Sequence, residues 1–264
     1  MRLVSWNCNG ALRNKLDAIS RLDADVLVVQ ECEDPAHSTP AFHQWAGNYL
    51  WAGESLHKGI GIFPRNGHSV RALHWSGNFQ LPGLSGTSPA LEWATNDLKL
   101  FLPFVLDENQ VFIAVWTKGS NQQAFRYIGQ FWKYLQIHRE QIRQHQAVIV
   151  GDFNSNTVWD RPDQWWNHTD VVSELEAIGL RSLYHHQFDE SQGGESQATF
   201  YLQRNANKPY HIDYAFVPHD QLAQSAIEIG YPTDYWLKVS DHMPLLLTWQ
   251  DMITKASAAS GRRG

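Results

Sequence analysis

Apolar residues along the chain fall into short continuous runs separated by polar turns. The runs at 3–6, 26–29, 60–63, 98–104, 111–116, 147–150, 214–217 and 245–249 read as buried strands. Helical spacing is rarer. Leu12, Leu16 and Ile19 share one face of a helix near the start, and Phe125, Ile128, Trp132 and Leu135 share one face of a longer helix after Asn121. A short helix follows Asp170 and stops at Gly179, the residue type favoured just past a helix end. Strands outnumber helices, and no regular strand–helix–strand beat recurs, which argues against a doubly wound nucleotide-binding sheet. The pattern predicts two packed sheets with helices outside. With no repeat and no linker, one domain is expected over residues 1–250, followed by a flexible tail at 251–264. Residues 185–208, rich in Gln, Ser, Gly and Asn, read as a long surface loop around one extended piece at 199–202.

Composition narrows this picture. At 264 residues, 43% hydrophobic and 18% charged, the chain can bury a large core and lies outside the disordered class. A formal net charge of -6 gives no general pull toward nucleic acid or anionic membrane, so any contact with a polyanion must be local. Cys8 and Cys32 cannot make a disulfide framework and are expected as reduced, buried thiols turned away from the polar residues that precede them. No apolar stretch reaches the length of a membrane span, so a soluble, cytoplasmic protein is expected, a monomer with no obligate protein partner. The 12 tryptophans divide into core candidates (Trp6, Trp116, Trp132 and Trp249) and a loop trio near Arg161 (Trp159, Trp165 and Trp166) suited to stacking on unpaired bases.

The polar residues stand where the apolar runs stop. Trp6-Asn7-Cys8-Asn9-Gly10 closes the first run, Gln30-Glu31 the second, and Gly151-Asp152-Phe153-Asn154 the run at 147–150, while Ser240-Asp241-His242 stands just before the last. His211-Ile212-Asp213-Tyr214 opens another. One such cluster is ordinary turn chemistry, but five gathered at strand ends make the mouth of a site. Carboxylates, amides and a histidine without a cysteine cluster suit a hard cation such as Mg²⁺ or Mn²⁺ better than zinc, and a phosphate ester is then the expected substrate. Asp213 paired with His242 offers either a cation for a phosphate or a general base for water. The remaining histidines form no metal-spaced pair on a helix, and His185-His186 reads as a solvated turn.

In this order the motifs resemble the endonuclease/exonuclease/phosphatase superfamily, with the nearest likeness to its exonuclease III and AP endonuclease branch. The resemblance runs from residue 4 to 248. It implies a four-layer α/β sandwich, two packed mixed β-sheets flanked by helices, that cleaves phosphate esters with Mg²⁺ or with Mn²⁺ in its place. Position by position, it implies Glu31 as the principal metal ligand, Asp241 as a second, and Asn9 near the metal. Asn7 and Asn154 then orient the water or the scissile phosphate, Asp152 activates the water, and Asp213 holds His242 against the phosphoryl oxygens. Either Asp152 or His242 serves as the general base.

Two departures bear on the substrate. Trp116 stands where AP endonuclease-type relatives carry a phosphate-contacting Tyr and secreted DNases a His; an indole donates a hydrogen bond but is no acid, so its role shrinks to positioning or passes to Lys118 or Thr117. The Pro-Asn that follows that Tyr in the branch is absent, which argues against abasic-site specialisation. On the other side, Thr199-Phe200-Tyr201 and Tyr210 resemble the aromatics that line the branch's sugar pocket. The expected function is therefore hydrolysis of DNA phosphodiester bonds, as exonuclease or endonuclease, by in-line attack of an activated water. The alternative keeps the same residues but acts on a small phosphate ester such as an inositol phosphate or a phospholipid head group, which the missing basic balance favours.

Overall fold

A computed structural model describes residues 1–81, 92–98, 100–119 and 124–250, so the tail expected at 251–264 lies outside the described residues. In the first part of the chain the strands are Arg2–Asn7 (β1), Val26–Cys32 (β2), Leu50–Ser55 (β3), Lys58–Pro64 (β4), Val70–Ala72 (β5), Asn78–Gln80 (β6) and Glu92–Ala94 (β7). The second part adds Phe101–Leu106 (β8), Gln110–Trp116 (β9), Val148–Asp152 (β10), Leu180–Ser182 (β11), Phe200–Tyr201 (β12), Pro209–Tyr210 (β13), Asp213–Pro218 (β14), Ser225–Ile229 (β15) and Leu245–Trp249 (β16). The α-helices that pack on them are Leu16–Ser20 (α1), Pro40–Ala46 (α2), Ile128–Gln144 (α3), His168–Ala177 (α4) and Leu183–Phe188 (α5).

Two six-stranded sheets result, in the orders β15-β16-β1-β2-β4-β3 and β11-β14-β10-β9-β8-β5. Each is mixed in the same way, with one parallel pair at its centre (β1 with β2, β10 with β9) and antiparallel neighbours on both sides. The strands alternate between two apolar layers, as a period of two requires. On β10, Val148 and Val150 face the core between the sheets, where Phe112 meets Trp249 edge to face. Ile149 and Phe153 face an outer layer built with Phe131 and Leu135 of α3 and Val171 and Leu175 of α4. Ala18, Ile19, Phe42 and Ala46 of α1 and α2 cover the other sheet. The chain is thus the expected two mixed sheets flanked by helices, and no helix among the described residues is long and apolar enough to cross a membrane.

Several local expectations change. The helix near the start breaks at Lys15 into a 3-10 turn, Leu12–Asn14, and the short α1. The helix placed after Asp170 starts earlier, because Asn167 caps it and Asp170 bonds back to the Asn167 N–H at 2.8 Å; it still ends before Gly179, at φ +87°. Residues 185–208 are more than a surface loop. They hold most of α5 and the β12 strand, which pairs with β13. His185 is accordingly buried within α5, not in a solvated turn, and only His186 is exposed. Of the tryptophan trio, Trp166 is 9% exposed and packs on Phe125, whereas Trp159 and Trp165 are 47% and 54% exposed.

The close approach of β10 to β9 sets one strict requirement. Gly151 adopts φ +147°, and a Cβ there would lie 2.0 Å from the Val115 carbonyl oxygen of the paired strand. Replacing Gly151 with Ala should therefore cost more than about 2 kcal/mol through clash and backbone strain together. A urea midpoint for Gly151→Ala equal to that of the parent chain would contradict this account.

Candidate active site

The parallel pairs bring the polar motifs to one edge. Asn7 ends β1, Glu31 lies near the end of β2, and Asp152 ends β10. β14 and β16 run antiparallel to these strands, so Asp213 at the start of β14 and His242 just before β16 arrive at the same edge. Within the second sheet Trp116, Asp152 and Asp213 are register partners, a row whose side chains share one face.

Asn7 joins the sheets. Its Nδ2 donates to Asp152 Oδ2 at 2.9 Å and to Glu31 Oε1 at 3.3 Å, while its Oδ1 accepts from the Asn9 N–H at 3.0 Å. Asp152, wholly buried, also accepts from the Asn154 N–H and from Asn154 Nδ2, both at 2.8 Å. His242 Nδ1 lies 2.9 Å from Asp213 Oδ2, and its Nε2 lies 4.0 Å from Asp152 Oδ2. Backbone contacts hold these groups in place. Thr199 Oγ1 accepts from the N–H groups of Ile212 and Asp213, Ser240 Oγ accepts from the His242 N–H and donates to the Asn7 carbonyl, and Trp6 Nε1 donates to the His242 carbonyl at 3.0 Å.

Burial and charge set the proton affinities. Burial alone would push the His242 imidazole down, but the carboxylates of Asp213 and Asp152 outweigh it and hold the ring up at about 9. Burial pushes Asp152 up as well; the imidazole and the amide donors oppose the shift, and the Asp213 charge reinforces it. At neutral pH the ring is an imidazolium, set between the Asp213 and Asp152 side chains.

Glu31 departs from plain strand geometry. The β2–β4 register shifts between Gln30 and Cys32, and Glu31 takes φ +61° in that bulge. Its carboxylate receives the ammonium of Lys58, which opens β4. The bulge, not simple alternation, separates Glu31 from Cys32; both cysteines are free and buried as expected, and burial pushes the Cys8 thiol up to about 12.

A family model for the endonuclease/exonuclease/phosphatase family matches residues 4–242. The chain belongs to that family. Among solved structures, it resembles the 3'-5' exonuclease NExo from Neisseria meningitidis (19% identity, 95% of this chain and 100% of that one, TM-score 0.67). The 3' phosphatase NExo from Neisseria bound to a product DNA hairpin gives the same identity and coverage with a TM-score of 0.66. An AP endonuclease from Archaeoglobus fulgidus follows at 17% identity, with 95% and 100% coverage and a TM-score of 0.61. A comparison with curated proteins returns no match.

Against this endonuclease/exonuclease/phosphatase fold, the expected residues separate into three groups. Glu31, Asn7, Asp152 and Asn154 form one hydrogen-bonded set, and the Asp213–His242 pair meets it where His242 Nε2 lies 4.0 Å from Asp152. Asn9 and Asp241 flank it: Asn9 bonds through its N–H to Asn7, and the Asp241 charge acts on both His242 and Lys15. The substrate-side residues are spread out. Trp116 is 5% exposed within the core between the sheets, which leaves little surface for the contact expected of it. Lys118 pairs with Glu54 and lies 5.2 Å from the Trp116 ring. Phe200 stacks near His242 at 4.6 Å between centroids, Tyr210 faces Phe200 across β12–β13 at 6.3 Å, and Trp159 continues the row 5.2 Å from Tyr210.

The sequence gives no signal for a second polar network beneath this edge. Asn156 Nδ2 reaches Glu195, the His211 carbonyl and the Tyr214 hydroxyl, at 3.0 to 3.2 Å. His185 bridges Ser182 and Glu195, and His168 bridges Ser155 and Gln192. Burial lowers the His168 ring to about 4. Burial alone would raise the Glu195 carboxyl, but His185 and the Gly193 N–H draw it down to about 2.

Two outcomes follow from these contacts. If Asp213 acts through His242, His242→Ala should lower turnover by several orders of magnitude, Asp213→Asn by less, and the double variant little below His242→Ala, since residues acting as a unit are non-additive. Strict additivity would mean that the two side chains work separately. The second outcome concerns acid stability. His168 is neutral when folded, so its contribution is full above the unfolded value of 6.5 and is lost as pH falls toward 4, a loss on the order of 3 kcal/mol. Glu195 adds a later loss as pH falls below 4.5 toward 2. Urea midpoints measured against pH should show the first loss shrink in His168→Gln; an unchanged profile would remove His168 from the account.

Proposed function

We propose that the chain is a divalent-metal-dependent phosphodiesterase that hydrolyses DNA by in-line attack of a water. The observation that carries the reading is the connected set Glu31–Asn7–Asp152–Asn154 beside the Asp213–His242 pair, at the edge where the central strands of both sheets end. In this reading Asp152 accepts the proton of the attacking water, as its raised proton affinity favours. His242, kept positive by Asp213, binds the phosphoryl oxygens as charge grows on them. Asn154 and Asn7 hold the Asp152 carboxylate at a fixed angle and orient the phosphate.

The donor set fits a hard cation. Glu31 and Asp241 offer partly exposed carboxylate oxygens, Asn9 a partly exposed amide oxygen, and both thiols are buried. Asp152, Asp213 and His242 also bring donor atoms within 4.8 Å of one another, in a buried group that in this reading handles the proton and the phosphate. When bound, Mg²⁺ or Mn²⁺ supplies positive charge to the phosphoryl oxygens.

DNA is favoured over a small ester by what surrounds this set. The row Phe200–Tyr210–Trp159 leads away from His242 toward solvent and offers faces for bases or sugars. Lys58, Lys118 and Lys15 stand at the same end, the first two paired with Glu31 and Glu54, ammonium groups within reach of a phosphate in a chain of net charge -6. The structural relatives include a 3'-5' exonuclease, an AP endonuclease and a 3' phosphatase bound to a product DNA hairpin. A substrate panel with and without EDTA tests the reading: blunt, nicked and abasic duplexes, single strands, RNA and inositol phosphates. Cleavage of one or more DNA substrates, abolished by EDTA and by Glu31→Gln, is expected. Activity confined to inositol phosphates would retire the nuclease and leave the small-ester enzyme.

A further inference from the structure

The divalent ion proposed for Glu31 would not find a free carboxylate, because Lys58 already occupies it. Lys58 opens β4 beside β2, and the bulge between Gln30 and Cys32 sets Glu31 outside the regular ladder at that place. The lysine stem passes Gly10, where a Cβ would make ordinary contact with it, 3.8 Å from Lys58 Cε. Its ammonium meets Glu31 Oε2, while Asn7 Nδ2 holds Oε1 at 3.3 Å. The Lys58 side chain is 50% exposed, so its ammonium has solvent to move into when it leaves Glu31. The other two lysines at this end are held elsewhere, Lys118 by Glu54 and Lys15 by the Cys8 carbonyl. Among the described residues, Lys58 is the lysine paired with a carboxylate of the site.

We infer that Lys58 is a tethered cation that competes with the divalent ion for Glu31 and turns to the substrate phosphate once the ion has taken that carboxylate. The inference rests on the metal reading proposed above. An ammonium on Glu31 cancels the charge that a hard cation needs. Once displaced, the same ammonium is repelled by the ion and is stabilised by an anion placed next to it, which the phosphate supplies. Metal and substrate then help each other bind, by equal factors in both directions.

Calorimetry with Mn²⁺ alone reads the first half. Lys58→Met should tighten Mn²⁺ binding by about twofold to fivefold, the scale of one partly exposed ion pair, and Lys58→Arg should bind as the parent does. Lys58→Gln, measured beside Lys58→Met, guards against a variant that fails to fold. Equal or weaker Mn²⁺ binding in both neutral variants, at preserved melting temperature, overturns the competition. Fluorescence anisotropy of a labelled single-stranded oligonucleotide with Ca²⁺ present reads the second half. Lys58→Met should weaken binding and lower the salt slope by about 0.7, the share of one phosphate contact on a single strand. An unchanged slope overturns the phosphate contact. Glu31→Gln separates the two levels: Mn²⁺ binding that survives it overturns the metal reading itself, whereas binding that it abolishes while Lys58→Met changes nothing overturns Lys58 alone.

Discussion

Two carboxylates and an imidazole share a space from which water is almost excluded, and most of the site is a consequence of that fact. Asp152, Asp213 and His242 are 0%, 3% and 4% exposed. An ionised group taken from water costs several kcal/mol unless close partners offset it. Asp213 is satisfied by the imidazole, and Asp152 by three amide N–H donors from Asn7 and Asn154. Each partner then needs its own support, which Ser240, Thr199 and Trp6 give through backbone contacts. Neutralising His242 leaves both carboxylates buried without their counter-charge, whereas neutralising either aspartate leaves the other beside the imidazolium.

This constraint is met by topology before it is met by side chains. A parallel pair at the centre of each sheet makes two strand ends coincide, and antiparallel neighbours turn their starts to the same edge. Packing the sheets face to face then sets Asn7 of one against Asp152 of the other. The residues lie far apart in the chain, up to 235 positions between Asn7 and His242 in the numbering, yet each is within a residue or a few of a strand terminus. A site of this kind needs little loop structure of its own, because the strands deliver its groups.

That geometry explains what can be read from the residues and what cannot. Continuous apolar runs marked the central strands, and 245–249 matches β16 at both ends. The edge strands β5, β11 and β15 are short or alternate with exposed polar residues, so their pairing depends on neighbours that the local pattern does not reveal. α5 was hidden by Tyr184 and His185, polar residues that are buried because Glu190, Glu195 and Ser182 bond to them. The motif residues at the site were legible by type and position. Lys58 was not, since its pairing with Glu31 comes from a bulge between two strands and leaves no spacing in the sequence.

The same edge also concentrates backbone strain. Asn9, Glu31 and Asn154 all lie in the left-handed region, at φ 53°, 61° and 45°, each at or just beyond the end of a central strand. Asparagine enters that region cheaply, but for a glutamate the cost is of order 1 kcal/mol or more. The ladder alone gives Glu31 no reason to accept it, because a regular register would keep the strand straight. What the turn provides is direction: it lifts the carboxylate out of the pleat into reach of Asn7 and Lys58. Backbone strain and the convergence of an amide and an ammonium therefore lie together at one carboxylate, and the first is the condition of the second.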